Sequence, residues 1–340
     1  MEKSVFSDFN ISGRKENLYP VSVTTPIHST PMHLVRRAFQ SLWRQSFGFS
    51  KIQWVIVLHN CTASYKSIIK KEFSKYENIK IAEADAPGTH VAYARNLTLR
   101  EADGKYIMFL DSDDEMEKNA ISEVIIGMEK TGAQAGCMAY EHVIGKLARM
   151  DFWVDASSID GEPCVYDKGD PRIADGLCIS GKALHGEIFR RDFLFKNHIY
   201  FKEDIAYVYG EDAFYSFKAF GMADKVAFFP HIKGYIYYFG LGMTCNLVNT
   251  SSDASKLAES VIDLFNHGRQ CGLDLNNLLC FDIWLYRIML SNNPKSLLLL
   301  KEFDKKISPL AAHLKPPIMQ CKEKQPQADQ VFASLCAAFK

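Results

Sequence analysis

The sequence has no excess of charge of either sign: forty Lys and Arg balance forty Asp and Glu. No global field therefore draws the chain to nucleic acid or to an acidic membrane, although a local basic patch stays open. It has no Cys-x-x-Cys pair. Its nine cysteines are an odd number scattered from Cys61 to Cys336, which argues against a disulfide framework and against a zinc site. It also lacks a long hydrophobic run. Leu297 to Leu300 is far short of the roughly 20 residues a membrane-crossing helix requires. The opening Met1-Glu2-Lys3-Ser4-Val5 has no apolar segment of the signal-peptide kind. These absences predict a cytoplasmic protein with reduced thiols, without a transmembrane segment or a nucleic-acid partner. Peripheral contact with the inner face of a membrane stays open. No internal repeat or low-complexity tract is visible.

What is present is an ordinary globular composition, 47% hydrophobic and 24% charged over 340 residues. That is enough chain for one large domain or two ordinary ones. Residues 1–18 are polar and aperiodic and read as a tail. Apolar runs then alternate with helix-period stretches. Val21-Ser22-Val23 reads as a short strand. Leu34, Val35, Ala38, Phe39, Leu42 and Trp43 recur at helical spacing, with Arg36, Arg37 and Arg44 outside.

Val55-Ile56-Val57-Leu58 is an unbroken apolar run, suited to a strand buried on both faces. A charged helix is expected over roughly 62–76, a strand at Ile79-Lys80-Ile81-Ala82, and a helix over 91–102 stopped by Gly104. Tyr106-Ile107-Met108-Phe109-Leu110 is the next buried strand. Repeated β-α units predict a doubly wound, Rossmann-like, mostly parallel sheet with helices on both faces. Its ligand crevice would lie at the carboxyl ends of the strands, around the segments after Val23, Leu58 and Leu110.

From about 133 to 240 the pattern suggests short strands and loops rich in aromatics. From about Ser252 onward it is helical, through Leu278 to Leu290. Pro316-Pro317 interrupts it, and a last helix is expected over Asp329 to Phe339.

The strand ending at Leu110 runs straight into Asp111-Ser112-Asp113-Asp114. Three carboxylates within four residues repel one another unless a cation or hydrogen-bond donors are near. Hard divalent cations such as Mg²⁺ or Mn²⁺ take one or two carboxylates together with substrate phosphates. A surface turn also uses Asp and Ser, but a place directly after a buried strand favours a metal site. Farther on, Glu211-Asp212 precedes a helix-like stretch. Acids suit a helix N-terminus, and a carboxylate there also suits a general base.

The order of segments resembles the inverting glycosyltransferase family 2, of the GT-A type, over roughly residues 19–245. The resemblance is carried by Val21-Ser22-Val23-Thr24-Thr25-Pro26, Ser41-Leu42-Trp43-Arg44-Gln45-Ser46, Val55-Ile56-Val57 and Ala94-Arg95-Asn96. Gly104 through Asp114 and then Gly210-Glu211-Asp212 continue it. It implies a nucleotide-binding half over 19–115, an acceptor half over 116–245 and a C-terminal helical region over 246–340.

It further implies that Thr25, Pro26 and His28 line the nucleotide, with His59 and Asn60 in the loop after the second strand. Asp111, Ser112 and Asp113 would meet the ribose and diphosphate, with Asp111, Asp113 and Asp114 about the metal. Arg95 would reach either the diphosphate or the acidic cluster. Asp212, with Glu211 beside it, would be the catalytic base that takes the acceptor hydroxyl's proton, giving inversion. The implied cofactors are Mn²⁺ or Mg²⁺ and a nucleotide-sugar donor, a UDP-sugar favoured. The implied acceptor is a glycan, lipid-linked or other glycoconjugate.

The chain departs from the family where the base is read. An acid usually follows the second strand, and here His59 and Asn60 stand in Leu58-His59-Asn60-Cys61-Thr62-Ala63. His28 stands where an aromatic usually stacks. Gly88-Thr89-His90 resembles the family's glycine turn. The loop at Gly242-Met243-Thr244, after the aromatic strand Tyr237-Tyr238-Phe239, has neither the usual basic residue nor serine. Trp153, Asp155, His185, Phe189, Arg190 and Arg191 form the expected acceptor region.

Two other classes compete. A sugar nucleotidyltransferase would open with a glycine-rich basic phosphate loop, whereas Thr24-Thr25-Pro26-Ile27-His28-Ser29 has neither glycine nor lysine. A non-catalytic relative kept as a binding module would gain support from His59, and Asp111, Asp113 and Asp212 oppose it.

Overall fold

The protein is described here from a computed structural model covering residues 18–86, 90–144, 148–152, 162–180, 184–203, 211–239, 251–276 and 296–316. Single positions between 279 and 291 and between 329 and 333 are also described. Most of the expected 1–18 tail, Gly88-Thr89, Trp153, Asp155, Gly210, Gly242-Met243-Thr244 and most of the helices expected over 278–290 and 329–339 lie outside the described residues.

Ten strands form one sheet in the order β3-β2-β1-β4-β9-β6-β10-β5, with β5 (Glu115–Met116) at its edge, β7 (Ala148–Phe152) on β6 and β8 (Cys164–Asp167) on β10. The first four are β1 (Tyr19–Ile27), β2 (Ile52–His59), β3 (Ile79–Ala84) and β4 (Gly104–Phe109). All pair in parallel, so their carboxyl ends share one edge. The sheet continues through β6 (Ala135–Ile144), β9 (Glu187–Arg190) and β10 (Lys225–Phe239), past the boundary expected at 115/116. The fold is thus mixed α/β with a mostly parallel, doubly wound sheet and C-terminal helices.

The reason for two helical layers is visible in β4. Tyr106, Met108 and Leu110 join one core, and Ile107 and Phe109 join the other. A strand that alternates two apolar faces must be covered on both. Helices α1 (Met32–Trp43), α2 (Ala63–Phe73) and α4 (Ala120–Thr131) cover the first face through residues such as Val35, Phe73 and Val124. Helices α3 (Val91–Glu101), α5 (Pro171–Ser180), α6 (Arg191–Lys196) and α7 (Glu211–Met222) cover the other through Leu99, Ile173, Phe193 and Phe217. The C-terminal helices α8 (Ser251–Gln270) and Ser296–Ala311 extend that second core through Val261 and Phe303.

Two expectations need correction. Gly104 does not stop the preceding helix, which ends at Glu101. It is the first residue of β4, and a Cβ there would fall 2.3 Å from the Ser22 nitrogen. Glycine is required because β1 and β4 approach so closely, and their register, Thr24 opposite Phe109, depends on it. Nor does the region 133–240 hold short strands alone. Beside strands of 4 and 5 residues it holds β6 of 10 residues and β10 of 15, whose alternation is broken by register shifts between Phe229 and Tyr235.

Candidate active site

The site forms where β1, β2 and β4 end together. The Leu110 amide donates to the Thr24 carbonyl at 3.0 Å, carrying the strand pairing to the first residue before the acids. Asp111 then emerges beside β1, 31% exposed. Arg95, on the almost wholly buried face of α3, meets it from below. Its Nη1 lies 3.2 Å from Asp111 Oδ1, and its Nε lies 3.4 Å from Asp212 Oδ1. Burial opposes charge on this guanidinium, but Asp111 and Asp212 beside it hold it firmly protonated. Arg95 thus pairs with the acidic cluster and also with an acid of the Glu211-Asp212 pair, about a hundred residues after that cluster.

Asp212 and Glu211 open α7, where the helix dipole favours their charge. Asp212 Oδ1 is closed from solvent while the side chain as a whole stays 22% exposed. Burial pushes this carboxyl well above its usual range, Arg95 pulls it back, and Glu211 and Asp111 add to the rise. A carboxylate with one covered oxygen, one partly open side and a raised proton affinity has the properties of a general base.

The neighbouring Asn96 fixes this arrangement. Its Nδ2 donates to the Phe201 carbonyl at 2.9 Å and its Oδ1 accepts from the Phe201 amide at 2.8 Å. The guanidinium of Arg95 also lies 5.8 Å from the Phe201 ring centroid.

The three aspartates of the cluster divide their work. Asp114 is 1% exposed; its Oδ2 accepts from the Tyr235 hydroxyl at 2.7 Å and its Oδ1 from the Tyr238 amide at 3.0 Å. The same Tyr235 oxygen accepts from the Asp111 amide at 3.1 Å. Burial, with Asp111 and Asp113 near, raises Asp114 well above its ordinary value despite these donors. Asp113 is held from behind: Arg37 donates to its carbonyl, and the guanidinium lies 3.5 Å from the Tyr238 ring centroid. Burial and Asp111 raise the Asp113 carboxyl too. Ser112 is 7% exposed and its hydroxyl shares a hydrogen bond with Thr30 at 2.7 Å.

Asp111, Asp114 and His185 each offer one ligand atom, all within 4.8 Å of one another. Two carboxylates and an imidazole fit a divalent cation such as Mn²⁺, with Mg²⁺ the harder alternative. Asp113, expected as a ligand, is adjacent in the turn but not in this group.

The residues expected to line the nucleotide are brought together where β1 and β2 end. His28 Nδ1 donates to the His59 carbonyl at 2.7 Å, and the two rings lie 5.9 Å apart. Asn60 has φ of 51°, in the left-handed region, and pins itself to Ala86 by accepting from its amide at 2.9 Å and donating to its carbonyl at 3.2 Å. His59 is 6% exposed, and burial followed by the nearby His28 and His90 lowers its affinity for a proton. Pro26 lies on β1 opposite Val57. Thr25 is different. It is fully buried and its hydroxyl accepts from Trp54 Nε1 at 2.8 Å, so only its main chain can face a ligand.

The expected acceptor region disperses. Strand β9 runs antiparallel to β4, so its start near His185 lies at the crevice end while Arg190 pairs with Tyr106 at the far end. Arg190 is engaged by Asp192 at 2.7 Å, Arg191 lies against Phe195, and Phe189 is core. His185 belongs beside the acids. Tyr235 and Arg37 join the acids without a signal in the sequence. Tyr235 sits in an aromatic strand that a core accounts for equally well, and Arg37 on the polar face of an amphipathic helix.

The family model of Glycosyl transferase family 2 matches residues 22–163. The minor teichoic acid biosynthesis protein GgaB of Bacillus subtilis (strain 168) is 34% identical over 107 residues, 32% of this chain and 12% of GgaB. The poly(ribitol-phosphate) beta-N-acetylglucosaminyltransferase TarS of Staphylococcus aureus (strain MW2) is 20% identical over 221 residues, 64% of this chain and 35% of TarS. The chain thus spans about a third or less of the length of these curated relatives.

Among solved structures, S. aureus TarS 1-349 in complex with UDP-GlcNAc aligns with a TM-score of 0.64 at 16% identity. The match covers 94% of this chain and 89% of that one. The mannosyltransferase PcManGT from Pyrobaculum calidifontis, in complex with GDP-Man and Mn²⁺, aligns with a TM-score of 0.52 at 14% identity, over 95% and 87%. At these identities the likeness establishes the fold alone.

Proposed function

We propose that this chain, whose residues 22–163 match the family model of Glycosyl transferase family 2, moves one sugar from a UDP-sugar to a hydroxyl of a surface-polymer acceptor, with inversion. The observation that carries the reading is the buried Arg95, which gathers Asp111 and Asp212 from opposite sides of one crevice. A UDP-N-acetylhexosamine donor and a polyol-phosphate or related glycoconjugate acceptor are favoured. TarS is a poly(ribitol-phosphate) beta-N-acetylglucosaminyltransferase and GgaB a teichoic acid biosynthesis protein. The reading carries a cytoplasmic site of action, where peripheral contact with a membrane would bring the acceptor; no helix among the described residues is long and apolar enough to cross one.

In this reading Pro26, His28, His59 and Asn60 receive the nucleotide, and Asp111 with its neighbours receives the ribose and diphosphate. A divalent cation bound at the acids supplies charge neutralisation for the departing diphosphate. Asp212 accepts the proton of the acceptor hydroxyl as its oxygen forms the new bond to the anomeric carbon. Its covered Oδ1 is held at Arg95, which leaves the exposed side of the carboxylate for the acceptor. Arg95 offsets part of the rise in proton affinity that burial imposes on Asp212. Glu211 adds negative potential at the same helix end and so raises the base's proton affinity.

The test is transfer itself. The chain is incubated with Mn²⁺, a poly(polyol-phosphate) acceptor and a panel of UDP-, GDP- and CDP-sugars, and the product linkage is read by proton NMR. An inverted anomeric centre from a UDP-sugar is expected. Retention of configuration would refute the single-displacement mechanism, and transfer from GDP- or CDP-sugars alone would refute the donor.

A further inference from the structure

His185 is the residue whose position departs most from its place in the sequence. It occupies the turn just before β9, between two residues in the left-handed region, Leu184 with φ of 50° and Gly186 with φ of 76°. Left-handed backbone is costly for leucine, by about 1–2 kcal/mol. At Gly186 a Cβ would also meet the Met138 carbonyl oxygen at 3.0 Å. The turn is tied down by the Met138 amide, which donates to the Gly186 carbonyl at 2.9 Å.

This backbone turns the imidazole inward, where it is 7% exposed. The ring is stacked on Tyr235 at 4.8 Å and on Tyr237 at 4.5 Å, with the edge of Tyr140 at 5.6 Å. A core histidine needs no such neighbours as Asp111 and Asp114, yet one of its ring nitrogens lies within 4.8 Å of an oxygen of each. Tyr235 links all three: it stacks on His185, donates to Asp114 and accepts from the Asp111 amide.

We propose that His185 is a nitrogen ligand of the active-site cation, so that the metal is held by Asp111, Asp114 and an imidazole rather than by carboxylates alone. This rests on the glycosyltransferase reading and deepens it. Neighbouring ligand atoms about a metal with bonds of ~2.1 Å stand about 3 Å apart. The three ligand atoms, all within 4.8 Å of one another, would draw together by up to about 2 Å on binding. The consequence is selectivity. Mg²⁺ prefers an all-oxygen octahedron and holds its waters, whereas imidazole suits later first-row ions and is accepted by Mn²⁺. The site should prefer Mn²⁺ to Mg²⁺.

The experiment is pulsed electron paramagnetic resonance on the full chain with Mn²⁺, with and without UDP, whose phosphates contribute no nitrogen. Echo modulation from a directly bound nitrogen is expected, changing its pattern when the protein carries ¹⁵N-histidine. In His185→Gln the modulation should vanish and Mn²⁺ affinity fall roughly tenfold or more, with Mg²⁺ affinity nearly unchanged.

Wild-type protein that binds Mn²⁺ through oxygen only would overturn the assignment and leave the glycosyltransferase reading intact. Nitrogen modulation that persists in a folded His185→Gln protein would overturn it too, because another histidine would be the ligand. No Mn²⁺ binding with or without UDP would remove the metal site altogether, and the metal-dependent reading with it. The wild-type spectrum decides the matter even if the variant fails to fold.

Discussion

The Nε of Arg95 stands 3.4 Å from Oδ1 of Asp212, and among the described residues that pairing is made by charge rather than by a formed hydrogen bond. Arg95 is buried, and it meets Asp111 in the same way at 3.2 Å. One guanidinium thus sets the distance between the acid at the end of β4 and the acid at the start of α7. Removing it leaves two carboxylates facing each other with no cation between them. Arg95→Met should lower the unfolding free energy by about 3–5 kcal/mol, measured by urea denaturation. Arg95→Lys should recover part of that stability and less of the activity, because a point charge replaces a fork.

Asp212→Asn should retain donor binding and lose transfer by about 10²–10⁴-fold. The pH dependence follows from the direction of its shift. Burial raises Asp212 well above the ordinary carboxylate value, so its basic form is lost on acidification earlier than an exposed aspartate's would be. Transfer should therefore rise as pH climbs through that raised value, and a profile flat down to pH 4 would assign the base elsewhere.

Much of this arrangement was legible locally. The acidic cluster follows the apolar run Tyr106 to Leu110 at the end of β4, and the Glu211-Asp212 pair opens a helix, so both could be read from adjacent residues. The partners of the cluster could not. Tyr235 reaches Asp111 and Asp114 across 124 and 121 residues, through a strand whose register shifts between Phe229 and Tyr235. His185 arrives on a turn whose direction is set by backbone conformation and by an antiparallel strand inserted beside β4. A glycine just past a helical stretch suggests a helix stop, whereas steric contact with β1 is what requires Gly104. Local periodicity carries none of these non-local pairings.

Tyr235→Phe tests whether Asp114 is an anchor. The substitution keeps the ring on His185 and deletes the hydroxyl that serves both Asp114 and the Asp111 amide. Leaving those buried groups unsatisfied should cost about 1–3 kcal/mol in thermal or urea unfolding. A variant as stable as the parent would remove the anchoring role.

His59 should make the fold sensitive to mild acid. In the unfolded chain its imidazole takes a proton near pH 6.5, whereas burial with His28 and His90 nearby lowers that value in the folded state. The unfolded form then binds a proton that the folded form refuses, so stability falls as pH drops from about 6.5 through the lowered value. His59→Gln should flatten the melting temperature between pH 7.5 and 5. An unchanged slope in the variant would assign the acid sensitivity to other groups.

The central claim is that the acids at the end of β4 hold a cation and the diphosphate of a UDP-sugar. It is tested most directly by UDP release from UDP-N-acetylglucosamine, without acceptor, by wild-type protein and by Asp111→Asn, with Mn²⁺ and then with a chelator. The account predicts slow release by the wild type, stopped by the chelator and reduced at least a hundredfold in a folded Asp111→Asn protein. Release that is undiminished by both the substitution and the chelator would contradict it.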